Sequence, residues 1–225
     1  MAPMPSRRVV VRGRGGKVVY TVARCALRGI AKAYLRITVI GQERVPQTGA
    51  YIVAPVHRSI IDSPLTGLIL DRPARFMAKS SAFVNEPISR FLTWAGAFPV
   101  DREGTDFAAI HTLESLIESG EPVVVFPEGT RKSGDHVEDL RDGPAFIAAR
   151  QRIPIVPVGI GGTDRAMPIG AKFLFPRKVV FVIGEPIYPD VELEGRVPRR
   201  VISELTEQVR VELERLYAEA RERAA

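Results

Sequence analysis

From Tyr51 onward the chain sets short unbroken apolar runs against longer stretches in which apolar residues return every three or four positions. The runs at 51–55, 75–78, 97–100, 122–126, 153–160 and 178–183 predict buried strands. The longer repeat predicts helices over 63–70, 87–94, 105–119, 144–151 and 198–223. The last of these sets Val201, Leu205, Val209, Leu213 and Leu216 on one face, with Glu and Arg elsewhere. Strands interleaved with helices predict an α/β fold, a single domain with a mostly buried mixed sheet covered by helices on both faces. No repeat, low-complexity tract or linker interrupts residues 38–225.

Upstream the pattern changes. Residues 1–16 mix Pro, Gly and Arg without periodicity and predict a flexible basic tail rather than a signal peptide. Residues 17–37 predict a helix in which Arg24, Arg28, Lys32 and Arg36 recur every fourth position among Val, Ala, Leu, Ile and Tyr. Four regularly spaced cations argue against burial in hydrocarbon, where a spanning helix needs about 20 mostly apolar residues. A basic amphipathic helix in the headgroup plane is expected, the four cations contacting an anionic membrane. The alternative is a surface helix packed on the protein's own core with a solvated basic face.

Charge sharpens this contrast. The chain has 225 residues and a net charge of +6, but residues 1–42 hold nine basic residues and no acid. The remaining 23 basic and 26 acidic residues net −3, so the positive excess is N-terminal and points to an anionic surface. Basic residues are not interleaved with aromatics on a common face, which argues against nucleic acid. A single cysteine, Cys25, excludes an intramolecular disulfide and a cysteine-rich zinc site, and suits the cytoplasm. Packing is the expected role of Cys25. With three histidines and no cysteine pair, no metal centre is expected.

Two segments carry candidate chemistry. His57 directly follows a predicted strand, where open α/β sheets place ligands, and a neutral imidazole accepts a hydroxyl proton near neutral pH. Asp62, five positions on, is placed to take the other ring N–H and fix the tautomer. Asp62-Ser63-Pro64 also reads as a helix N-cap, which would explain the aspartate structurally. Phe126-Pro127-Glu128-Gly129-Thr130-Arg131 ends another strand. Gly129 permits a tight turn, Thr130 caps or donates, and Arg131 can hold a phosphate through two N–H groups. Read blandly, it is a polar turn with a surface arginine. No Gly-x-Ser-x-Gly elbow is present to suggest a hydrolase.

The order of these segments resembles the glycerolipid acyltransferase family. His57-Arg58-Ser59-Ile60-Ile61-Asp62 matches its His-x4-Asp motif, and Phe98-Pro99-Val100-Asp101-Arg102 resembles the second motif. Residues 126–131 match the third, and Ile153-Pro154-Ile155-Val156-Pro157-Val158 the fourth. Weaker similarities fall at Ala78-Lys79, Leu140-Arg141-Asp142-Gly143 and Gly184-Glu185-Pro186-Ile187. The resemblance covers about residues 35–190. Val56 stands where many members have Asn, Arg58, Ile60 and Ile61 where small or aromatic residues are common, and Arg141 where Lys is usual.

The resemblance implies acyl transfer from a thioester, acyl-CoA or acyl carrier protein, to a hydroxyl of a lysophospholipid or glycerol phosphate, with no cofactor. His57 would be the general base and Asp62 its orienting partner. Arg102, Arg131 and Lys79 would bind the acceptor's phosphate, Glu128 would hold Arg131, and Gly129 and Thr130 would shape the turn. Pro157 would shape the acyl pocket, unless it is an edge-strand proline. His111 and His136 are expected to be structural or exposed. Lysophosphatidic acid is the expected acceptor, another lysophospholipid or glycolipid the alternative, and a non-catalytic anionic-surface binder a third reading. The expected site of action is the cytoplasmic face of a membrane, and the oligomeric state is open.

Overall fold

The apolar runs become the strands of one seven-stranded sheet. The structure, a computed structural model, describes residues 14–100, 107–190 and 197–225. In chain order the elements are α1 (Arg14–Tyr34), β1 (Thr38–Ile40), β2 (Ile52–Pro55), α2 (Asp62–Ile69), β3 (Arg75–Lys79), α3 (Glu86–Ala95) and β4 (Ala97–Val100). There follow α4 (Phe107–Glu118), β5 (Val123–Val124), α5 (Gly143–Gln151), β6 (Ile155–Gly161), α6 (Thr163–Ala166), β7 (Val180–Ile183) and α7 (Arg199–Ala224). The spatial order is β1-β7-β6-β2-β5-β3-β4, and every neighbouring pair is parallel except β6 with β7. β2, β6 and β7 are buried along their whole length, as unbroken apolar runs require.

The connections position the site. From β2 the chain moves through α2 to β3 and through α3 to β4, towards one edge. It then returns through α4 to β5 and through α5 to β6. Right-handed crossovers running in opposite directions put α2 and α3 on one face and α4 and α5 on the other. α1 packs on α2, while α7 packs on α5, β6 and β7. β2 and β5 are therefore neighbours whose outgoing chains leave to opposite faces, which opens a crevice at their carboxyl ends.

Two local features were not visible in the pattern. α1 stops at Tyr34 because Arg36 takes a left-handed conformation (φ 45°) and the Ile37 N–H bonds back to the Lys32 carbonyl at 3.1 Å, a Schellman ending. The chain then enters β1, which the expected 17–37 helix and strand list omitted. α1 begins at Arg14, and most of the expected 1–16 tail lies outside the described residues. On the far side, Gly159 and Gly161 let α7 lie close on β6, since a Cβ at either would overlap the backbone at Leu216 or Ala220. The α7 stripe Leu205, Val209, Leu213 and Leu216 is buried there, while Val201 is half-buried.

The helix α1 is mounted differently from expectation. Arg24 donates to the Gly67, Leu70 and Asp71 carbonyls, and Arg28 forms an ion pair with Asp71 at 3.2 Å. These carbonyls lie in the last turn of α2 and just past it, where unpaired C=O groups and the helix dipole attract a cation. Arg24 and Arg28, expected in the headgroup plane, are thus committed to the protein. Lys32 and Arg36 remain exposed. Cys25 is exposed too and does not pack. Among the described residues no helix is long and apolar enough to cross a membrane.

Candidate active site

His57 lies two residues beyond β2, and the 126–131 segment leaves the neighbouring β5. Both therefore stand at the mouth of the crevice. The imidazole is mostly buried and stacks on Phe126, ring centroids 4.0 Å apart. Its Nδ1 is 3.0 Å from Asp62 Oδ2. A carboxylate only accepts, so Nδ1 carries the proton of the neutral ring and Nε2 the lone pair.

Asp62 is fully buried and opens α2, but it does not cap the helix as its sequence context suggests. The same Oδ2 accepts the backbone N–H groups of Arg58 and Ser59, each at 2.6 Å. The carboxylate is thus the hub of a closed turn that includes the histidine it orients. Ser59 Oγ donates to the Met167 carbonyl at 2.7 Å and ties this turn to the segment after α6.

Glu128 does not hold Arg131. Its buried carboxylate pairs with Arg58, whose Nη1 lies 2.9 Å from Oε1 and 2.7 Å from Oε2. It also accepts the His57 backbone N–H at 3.0 Å. Burial opposes the charge on Arg58, but its hydrogen bonds and attraction to Glu128 outweigh that, so its pKa stands above the ordinary arginine value. The guanidinium is further fixed by Tyr217 Oη (3.0 Å from Nε), by the His136 carbonyl (2.8 Å from Nη2) and by stacking on the Tyr217 ring. Burial keeps Tyr217 protonated to higher pH against the pull of Arg58, and its O–H donates to the Gly134 carbonyl at 3.0 Å. Arg58 is therefore an internal strut, because the nearest buried anion competes for it better than solvent does.

The turn itself presents cations. Gly129 is left-handed (φ 73°), and a Cβ there would overlap the Arg141 side chain. The Arg141 N–H also bonds to the Pro127 carbonyl at 2.9 Å. Arg131, Thr130 and Arg141 are exposed, and neither arginine forms an ion pair among the described residues. Lys79 ends β3, and Arg102 lies outside the described residues. Pro157 is buried in β6 opposite Ala54, in the sheet interior rather than at an edge. His111 is exposed beside Glu114, and His136 is exposed with Nδ1 on Glu214.

Sequence reasoning missed Tyr217 altogether, since nothing in a helical repeat marks one buried tyrosine as a hydrogen-bonding partner 159 positions away. Arg141 had a signal in its resemblance to a basic family position, which only the contact with Gly129 turns into a place beside the site.

The buried His57–Asp62 pair and the arginine-bearing turn thus stand at the carboxyl ends of two neighbouring parallel strands of an α/β sheet. The sequence profile described as Acyltransferase matches residues 36–161, and the chain belongs to that family and is an acyltransferase. Among its relatives is the 1-acyl-sn-glycerol-3-phosphate acyltransferase of Bacillus subtilis, 35% identical over 165 residues, 72% of this chain and 76% of that protein. The Streptococcus pneumoniae enzyme of the same name is 29% identical, covering 80% of this chain and 66% of its own length. The crystal structure of the 1-acyl-sn-glycerophosphate (LPA) acyltransferase PlsC from Thermotoga maritima superposes with a TM-score of 0.71 at 26% identity, covering 93% of this chain and 85% of that one.

Proposed function

We propose that the chain moves a fatty acyl group from acyl-CoA or acyl carrier protein to the free hydroxyl of lysophosphatidic acid, giving phosphatidic acid at the cytoplasmic face of a membrane. The observation that carries this is the Asp62-oriented His57 at the end of β2, beside the turn from β5 that bears Arg131 and abuts Arg141. His57 Nε2 takes the acceptor's hydroxyl proton while the oxygen attacks the thioester carbonyl carbon. Asp62 stabilises the imidazolium that forms. The tetrahedral intermediate collapses with loss of the C–S bond, and the imidazolium returns the proton to the leaving thiolate. The acyl group passes directly, so no acyl-enzyme is needed. Arg131 and Arg141 hold the phosphate, with Arg102 and Lys79 as further cations on the sequence pattern. The substrate names borne by the relatives support this acceptor.

Thiol release from palmitoyl-CoA with lysophosphatidic acid in mixed micelles tests the reading. Acceptor-dependent release should fall by about 10²- to 10⁴-fold in His57→Ala, with the fold intact by circular dichroism. Release in the variant equal to wild type would remove His57 from the mechanism. Release restored by a different lysolipid, with none from lysophosphatidic acid, would reassign the acceptor.

A further inference from the structure

The segment between α6 and β7 carries apolar side chains in water. Phe173 is 75% exposed, and Ile169, Leu174 and Phe175 are exposed beside it. The segment is nevertheless fixed at both ends and in the middle. The Phe175 N–H closes it on the Ala166 carbonyl at 2.8 Å, and the Ala171 N–H bonds to the Pro168 carbonyl at 3.0 Å. Tyr34 Oη of α1 donates to the Leu174 carbonyl at 2.9 Å, and the Val179 N–H bonds to the Leu35 carbonyl at 3.0 Å. At the other side Ser59 of the catalytic turn holds Met167, and Ile60 next to it is 58% exposed.

α1 continues the same surface. With Arg24 and Arg28 turned to α2, the helix presents Val22, Ala26, Leu27, Ile30, Ala33 and Tyr34 to solvent. This apolar stripe meets the loop tip at the Tyr34–Leu174 bond. Contiguous exposed apolar surface is uncommon on a soluble monomer and marks an interaction site. The charge around it selects the partner. Lys32, Arg36, Lys172, Arg177 and Lys178 are exposed, and none forms an ion pair among the described residues. Residues 165–184 contain no Asp or Glu, like residues 1–42. Aromatic and aliphatic side chains rimmed by unbalanced cations match the boundary between acyl chains and anionic headgroups.

We infer that residues 167–177 form a second lipid-contact element, seated with the outward stripe of α1 in an anionic bilayer and coupled to the catalytic turn through Ser59. Seating Phe173 and Phe175 sets the distance of His57 from the bilayer surface, where a lysolipid hydroxyl resides. The consequence for turnover rests on the proposed lipid acceptor, whereas the contact with the bilayer does not.

Two variants of the full chain, Phe173→Ser/Phe175→Ser and Lys172→Ala/Lys178→Ala, separate the apolar and charged contributions. Co-sedimentation with vesicles of about three parts phosphatidylcholine to one of phosphatidylglycerol is compared with phosphatidylcholine alone. The phenylalanine variant should partition about ten-fold or more weakly into both vesicles, and the lysine variant more weakly only into the anionic ones. Turnover of vesicle-embedded acceptor should fall with binding, while turnover of a short-chain acceptor dispersed as monomers stays at the wild-type level. Wild-type partitioning of the phenylalanine variant would overturn the inference. So would loss of self-association with vesicle binding intact, which would give the patch to a second copy of the chain. A wild type inactive on both would overturn the proposed acceptor, with vesicle partition still deciding the contact.

Discussion

Asp62 receives three contacts on one oxygen, from the His57 ring and the Arg58 and Ser59 amides, while its buried Oδ1 has no partner among the described residues. The carboxylate's work is therefore concentrated in Oδ2. Asp62→Asn keeps a carbonyl for the two amides but withdraws the charge that would stabilise an imidazolium in the proposed mechanism. Turnover should drop by about 10²-fold or more with little change in KM, read by steady-state kinetics. Arg58 and Glu128 obey different arithmetic, because removing one partner strands the other in the interior. Arg58→Met alone should cost about 3–5 kcal/mol in urea unfolding. Pairing it with Glu128→Leu should recover most of that loss yet leave turnover low, because the His57 amide still lacks its acceptor. Tyr51 supplies a pH test. Burial pushes its pKa to about 12. The unfolded phenol ionises near its ordinary value and the folded one only above it, so the native state binds more protons in between and stability falls as pH rises through that window. Tyr51→Phe should make the fall shallower in denaturant titrations at pH 10–12, whereas an unchanged slope would contradict a buried phenol.

The elements convert these contacts into a site because β2 and β5 end side by side with their helices on opposite faces. The sheet reaches the His57–Asp62 turn from one direction, and α7 braces it from another. Tyr217 holds Arg58, and Glu214 accepts the Val137 N–H at 2.7 Å beside the carbonyl of His136 that Arg58 uses. Tyr217→Phe removes one acceptor and one donor without changing shape. It should lower kcat more than it raises KM, because it loosens the strut beneath His57 rather than a group touching the acceptor. An equal rise in KM would argue against that role. On the opposite side of the turn, Gly129→Ala puts a methyl into Arg141 at a left-handed position. It should raise KM for the phosphate-bearing acceptor and leave KM for the thioester nearly unchanged. The strands and most helices were legible because their apolar periods are local; the ends of α1 and the existence of β1 were not, because a left-handed Arg36 carries no sequence mark.

For the molecule as a whole, charge and apolar surface are segregated rather than mixed, with the N-terminal excess of cations partly spent on the protein's own α2 and partly left at its surface. Whatever lies within a few residues or one repeat is set along the chain: the α/β alternation, the His57–Asp62 spacing that one turn closes, and the glycine and arginine of the strand-end segment. Such features depend on backbone sterics and periodicity, which act locally. Which partners the charges take depends instead on the folded packing. Arg58 meets Glu128 across 70 positions and Tyr217 across 159, and Arg24 meets the end of α2 across more than 40. These pairings follow from strand order and helix docking, and no local pattern encodes them. The same docking turned the apolar side of α1 to solvent, since two arginines bonded to the end of α2 fix which side of the helix faces in.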